Sequence, residues 1–367
     1  MAAPSFPVRS PGRSLPGLRI GLLSTYPPRV CRLAAFAAAL ESALTDLDSR
    51  VSVVRVESAE GPITPAPAGV MTLTNGQLRS VQNAATWLSR NDVAIVQHDF
   101  GIYGGADGDE VLSVLEQITV PSMVILHSVP SVPAAPAVPV VPTGATEPAL
   151  SAGATAHQRS VLIAVTDRVD EVVVFSRAAQ SRLVNEYGVA ARRITVIPQG
   201  ATGSPDPLGR STADTAISAL STWGFLGPGA GIGEVLDALA QVANYDDGQA
   251  LLRMIASSGV VIVPYESDDQ VTSSVLVEAI AAGRPIISAP FPDAVELLSS
   301  GAGILVAGGD VVAMADAIRS ILTDADRGAV MSAEARQLAP SLLWPSVAAR
   351  YIDEARSLLR APQPVAI

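Results

Sequence analysis

A chain of 367 residues exceeds one ordinary domain, so two domains are expected, and an apolar content of 49% supplies a sizeable core. All 24 basic residues are arginine against 35 acidic ones; the net charge of -11 argues against a binder of nucleic-acid phosphates, and the lack of lysine excludes a Walker-type phosphate loop and a lysine Schiff base. One cysteine, Cys31, excludes disulfides within the chain and thiolate zinc clusters, and the 3 histidines (His98, His127, His157) leave little for a multi-histidine metal site.

Residues 1–17 are rich in Pro, Ser and Arg and read as a disordered tail without the apolar segment of a secretory signal. Short apolar runs then alternate with helix-period segments, the signature of a parallel sheet covered by helices on both faces. Strands are predicted at Leu18–Leu23, Val51–Val56, Val93–Gln97, Ser122–Leu126, Glu171–Phe175 and Ile194–Ile197. Helices are predicted at Leu33–Leu44, Asp109–Ile118, Gln158–Arg168 and Arg177–Tyr187. Residues 128–154 form a Pro/Ala/Val-rich insertion read as a disordered loop, and the uncharged run Gln117–Thr146 is too broken by proline to span a bilayer.

Pro198-Gln199-Gly200 ends the first alternation, and residues 201–215 form a linker. The second alternation comprises Ser221–Phe225, Gly233–Val242, Val260–Pro264, Ser273–Ala281, Pro285–Ala289, Ile304–Val306 and Val311–Thr323. The expected architecture is α/β: two doubly wound Rossmann-like domains, 18–200 and 216–345, facing a cleft at the carboxyl ends of their strands, with a closing helix at 346–361.

After Val260–Pro264, Thr272 or Ser273 is placed to cap a helix whose free amides, at Ser273, Ser274 and Val275, make an anion site. Glu278 lies about one turn further in, within reach of ribose hydroxyls. From spacing alone, a capped surface helix with an exposed Glu278 is an equal reading.

The segment Val261–Ile287 resembles the signature of retaining family 4 glycosyltransferases of the GT-B fold, which carry two acidic residues followed by a small-residue helix, Gly and Pro. The resemblance implies that Glu278 holds the nucleotide ribose, while the first acidic position falls on Gln270, whose amide would meet a sugar hydroxyl. It extends through Pro292–Val306 with Glu296, and to Trp344-Pro345 with the helix that crosses back to the first domain. Ser24–Arg29 is similar to the acceptor-side loop, which assigns Thr25 and Arg29 to the acceptor, Arg29 through its phosphate or carboxylate. His98, Asp99 and His127 follow two strands of the first domain and take the catalytic places; His127 would orient the reacting sugars, the alternative being a packed strand-end histidine. Asp107-Gly-Asp109 imitates a metal-binding pair, but it reads better as the cap of the helix Asp109–Ile118, since GT-B enzymes hold their donor without an essential metal. His157 receives no role.

Three departures from the pattern stand out. In Phe225–Ile232, Leu226 and Ala230 take the places where the family carries Arg and Lys against the pyrophosphate. The amides around Gly227, Gly229 and Gly231 remain, and they do not form a dinucleotide fingerprint because Ile232 sits at the third place. The interval from Ala230 to Val260 has room for little beyond one or two helices, so a truncated C-terminal sheet of about four strands is expected where six are usual. Arg32 follows Cys31 where the family tends to have Gly.

The resulting expectation is a retaining hexosyltransferase using a UDP- or GDP-linked sugar. It would need no cofactor or metal and act on a glycan, lipid or small-molecule hydroxyl. Nucleic-acid partners are not expected. The protein reads as cytoplasmic, with at most peripheral contact at the inner face of a membrane. The alternative is a degenerate, catalytically weak or inactive glycosyltransferase-like binding or scaffold protein.

Overall fold

Runs that are apolar on both faces suit a parallel sheet, because helices cover both of its sides. In the computed structural model, which describes residues 17–58, 65–132, 154–203, 220–222, 248–264 and 273–360, seven strands, most of them such runs, form one sheet. They are β1 (Arg19–Ser24), β2 (Arg50–Glu57), β3 (Met71–Thr74), β4 (Val93–His98), β5 (Ser122–Leu126), β6 (Glu171–Val174) and β7 (Ile194–Val196). Every pairing is parallel, and the strand order is β3-β2-β1-β4-β5-β6-β7. All six residues of β4 are buried, as expected of a central strand.

Helices α1 (Arg32–Asp46), α2 (Leu78–Leu88), α3 (Val111–Leu115), α4 (Ala156–Asp167) and α5 (Arg177–Tyr187) connect these strands. Their starts follow local chemistry. Cys31 Sγ accepts from the Ala34 amide at α1, Thr155 and Gln158 form a reciprocal capping box at α4, and Ser176 caps α5. Strand β3 and helix α2 were not among the predicted elements. β3 is only four residues of mixed polarity, and α2 carries its buried stripe (Val81, Ala84, Ala85, Leu88) within an otherwise polar sequence.

Asp107 and Asp109 do not cap a helix. A 3₁₀ turn covers Ala106–Gly108 and α3 begins only at Val111. The Asp107 carboxylate instead meets His157 Nδ1 at 3.0 Å, with Asp109 at 3.9 Å from His157 Nε2. The loop after β4 is thereby pinned to the first turn of α4, and His157, read as inert, is the pin.

The chain divides into two compact units, one of Pro11–Pro198 with Val347–Ile367, the other containing Gln199–Ser346. In the second, β8 (Leu220–Thr222), β9 (Val260–Val263), β10 (Ile286–Ser288) and β11 (Gly303–Leu305) form a parallel sheet in the order β11-β10-β9-β8. Helices α6 (Gly248–Ser257), α7 (Ser274–Ala281), α8 (Pro292–Leu298), α9 (Val311–Thr323) and α10 (Ala325–Leu342) accompany it, and α11 (Trp344–Arg360) closes the described chain. Gly283 ends α7 in the left-handed region (φ 65°), and a Cβ there would meet Arg336 Cγ at 2.8 Å, so the Gly-Arg-Pro turn needs its glycine. From Val347 onward α11 belongs to the first unit, where Arg350 donates to the Val196 carbonyl (3.0 Å).

The tail, most of the 128–154 insertion and the 201–215 linker, the predicted helix Gly233–Val242 and the residues Leu226, Gly227, Gly229, Ala230, Gly231 and Gln270 lie outside the described residues.

Gly200 shows a close approach of a different kind. Ala201 pairs with Leu343 in a parallel bridge, which lays the Gly200 backbone against the Trp344 ring; a Cβ would come within 2.4 Å of it. Gly200→Ala is expected to lower stability by about 1–3 kcal/mol through overpacking, read as a lower urea midpoint with an unchanged slope. An unchanged midpoint would show that the indole moves aside freely.

Candidate active site

In a doubly wound sheet, ligands bind outside the carboxyl ends of the strands, where the strand order reverses. β1 has β2 on one side and β4 on the other, so the reversal in the first unit lies between β1 and β4. The polar residues predicted for the acceptor and the chemistry follow these strands and β5.

Thr25, just past β1, is buried, and its hydroxyl lies 3.5 Å from Cys31 Sγ at the start of α1. Arg29 is exposed in the same loop, and Arg32 is exposed on the first turn of α1. His98 ends β4 fully buried, its ring edge-on to Phe100 and stacked with Tyr103. Among the described residues neither ring nitrogen of His98 has a hydrogen-bond partner. Burial pushes its pKa down to about 4, so the ring is neutral. Asp99, half-buried, accepts from the Ser128 hydroxyl at 3.1 Å.

His127 follows β5. Its backbone amide donates to the His98 carbonyl at 3.0 Å, and its ring is packed edge-on by Phe36 of α1 (4.9 Å) and Phe175 (5.1 Å). Its Nε2 lies 2.7 Å from the side-chain oxygen of Gln97. The ring is half-buried, and its desolvation by the packed neighbours, with the nearby charge of Arg32, pushes it down to about 3. The structure therefore brings His98, Asp99 and His127 together through neighbouring strand ends. Both imidazoles are neutral hydrogen-bonding groups and poor proton acceptors. Gln97 and Ser24, both fully buried, were missed. The signal was present: a glutamine inside an apolar β-run needs a partner.

In the second unit Ser273, buried, caps α7 and accepts from the Leu276 amide at 3.3 Å. Ser274 is half-buried and Val275 buried at the start of that helix. Glu278 is neither an exposed surface residue nor free. Its two oxygens accept the backbone amides of Thr202 (2.9 Å) and Gly203 (2.8 Å), and burial raises its pKa despite both bonds. A carboxylate offers about four lone-pair sites, so capacity for further donors remains. Among the described residues no group of three or more His, Cys, Asp and Glu is placed to hold a metal, and no helix is long and apolar enough to cross a membrane.

Residues 232–324 match the family described as "Glycosyl transferases group 1". No curated protein matches the chain. Among solved structures, the chain is similar to Anabaena HepE in complex with UDP and glucose, at 16% identity and TM-score 0.62, covering 93% of this chain and 100% of that one. It is similar to sucrose-phosphate synthase from Thermosynechococcus elongatus at 16% identity and TM-score 0.63, covering 94% and 100%. An alpha-glucosyltransferase in complex with UDP-glucose and abasic DNA matches at 10% identity and TM-score 0.59, covering 93% and 100%. The fold is therefore α/β with two Rossmann-like domains, as in GT-B glycosyltransferases.

The native state keeps His98 neutral down to about pH 4, whereas the unfolded chain takes up that proton near 6.5, so acidification favours unfolding. Stability is lost as pH falls from 6.5 towards 4, by about 1.4 kcal/mol per pH unit. The Glu171 carboxyl, pushed up to about 7 by burial, acts in the opposite sense, so a single-site comparison is needed. His98→Leu is expected to flatten the acid limb in urea unfolding measured between pH 4 and 7. Equal slopes in the two proteins would overturn the buried neutral ring.

Proposed function

We propose that the protein transfers a hexose from a UDP- or GDP-linked donor to an acceptor hydroxyl, as a family 4 enzyme that retains the anomeric configuration and uses no metal. The carrying observation is the group 1 match over residues 232–324, which contains the capped start of α7 and the half-buried Glu278 carboxylate. HepE, of similar fold, is described with UDP and glucose.

In this reading the amides at Ser274 and Val275 face the donor phosphates, with Ser273 holding the helix start and the glycine amides at Gly227, Gly229 and Gly231 assisting. Glu278 accepts from the ribose hydroxyls with the lone pairs left by Thr202 and Gly203, and Gln270 meets the sugar. His127, His98 and Asp99 orient the acceptor hydroxyl beside Thr25, and Arg29 meets an anionic group of the acceptor. Imidazoles pushed down to about 4 and about 3 are too weak as bases to take the hydroxyl proton. The departing phosphate oxygen is the remaining acceptor for it, and a nucleophile that delivers its proton to the leaving group attacks from the same face, which gives retention. A shortened donor sheet and a cytoplasmic site, near a membrane if the acceptor is a lipid, complete the reading.

Titration calorimetry with UDP- and GDP-sugars is expected to show binding. Glu278→Ala should weaken it by about 10- to 100-fold, the worth of a hydrogen bond to a charged group. Absence of binding to every nucleotide sugar would sink the proposal.

Leu226 and Ala230 favour a second reading, a degenerate binding or scaffold protein that has lost its pyrophosphate cations. Ala230→Lys separates the two: a gain in nucleotide affinity marks a damaged site, and no change marks one rebuilt on backbone amides.

A further inference from the structure

Gln97 is the last but one residue of β4 and fully buried, in a strand whose other side chains, His98 apart, are apolar. Burying a primary amide costs several kcal/mol unless its hydrogen bonds are met. Its oxygen meets one, His127 Nε2 at 2.7 Å, while among the described residues its nitrogen has no partner. The backbone carries a further tie, the Tyr103 hydroxyl donating to the Gln97 carbonyl at 2.7 Å. Register explains the pairing: Gln97 lies opposite Ile125, so Gln97 and His127, two residues on, share a face of the sheet. Phe36 and Phe175 hold the His127 ring edge-on from other directions. The only polar restraint seen on the ring among the described residues is therefore the Gln97 amide.

We propose that Gln97 is a positioning residue that fixes His127 as its Nε2–H tautomer. Because the amide oxygen is an acceptor only, the proton between the two groups belongs to Nε2. Nδ1 then carries the lone pair, and His127 presents a hydrogen-bond acceptor to an incoming hydroxyl instead of a donor. A hydroxyl held in this way keeps its own proton directed at His127 and a lone pair free for attack. This consequence for catalysis rests on the glycosyl-transfer reading; the tautomer does not.

The test uses the full chain labelled with 15N-histidine. Three imidazoles are few enough to assign with His157→Gln and His127→Asn. At neutral pH the His127 ring is expected to show its proton on Nε2, slow to exchange with water. In Gln97→Leu that protected proton should disappear, with the thermal unfolding midpoint recorded to confirm a folded protein. An Nδ1–H ring in the unsubstituted protein, or a protected Nε2–H that survives in Gln97→Leu, would overturn the proposal. If the leucine variant fails to fold, Gln97→Glu replaces it: a carboxylate keeps the Nε2–H bond and must move the His127 titration upward, and an unmoved titration counts against the contact. With an active enzyme, Gln97→Leu should lower kcat by about tenfold, the worth of one hydrogen bond, and leave the donor KM unchanged. Failure to detect any transfer would tell against the transferase reading while leaving the tautomer result standing.

Discussion

Because β2 and β4 flank β1 on opposite sides, the strand order of the first sheet reverses between β1 and β4, and the chain leaves the carboxyl ends of these two strands towards opposite neighbours. Strands covered on both faces carry few polar side chains, and several of those in the first sheet gather at or just past the carboxyl ends of β1, β4 and β5. Thr25, Gln97, His98, Asp99 and His127 all lie there. The aromatic residues Phe36, Tyr103 and Phe175, drawn from a helix, a loop and another strand end, pack against the two imidazoles.

The packing around them sets the chemistry. Two imidazoles with no carboxylate bonded to either, beside the positive charge of Arg32, cannot hold a proton near neutral pH. Under the proposed transfer such rings would direct a hydroxyl without deprotonating it, and the departing phosphate oxygen would take the proton. A neutral imidazole acts as donor or acceptor according to its tautomer, and here the choice falls to one buried amide.

In the second unit the comparable constraint is the short stretch after Gly200. A missing Cβ lets the chain pass against Trp344, and two residues later its amides reach Glu278. The glutamate that the resemblance assigns to ribose is thus also a structural acceptor, held in place by bonds that do not exhaust its oxygens. A helix start capped by Ser273 and a carboxylate about one turn into α7 are held at a fixed spacing by the helix.

Much of this was legible in residue order. Apolar runs of four to six residues located all but one strand of the first sheet, because burial on both faces leaves a local record. That a hydroxyl residue, Thr272 or Ser273, caps the helix followed from local chemistry, and the fold uses Ser273. Strand β3, short and mixed, left no such record. Nor did any contact made between distant residues: Glu278 with Thr202 and Gly203, 76 and 75 positions away, His127 with Gln97, 30 away, or His157 with Asp107, 50 away. Periodicity and capping act within a turn or a strand, so they appear in the order of residues. Which strand neighbours which, and which side chain then meets a given carboxylate or imidazole, depends on how the sheet closes, and only the folded chain decides that.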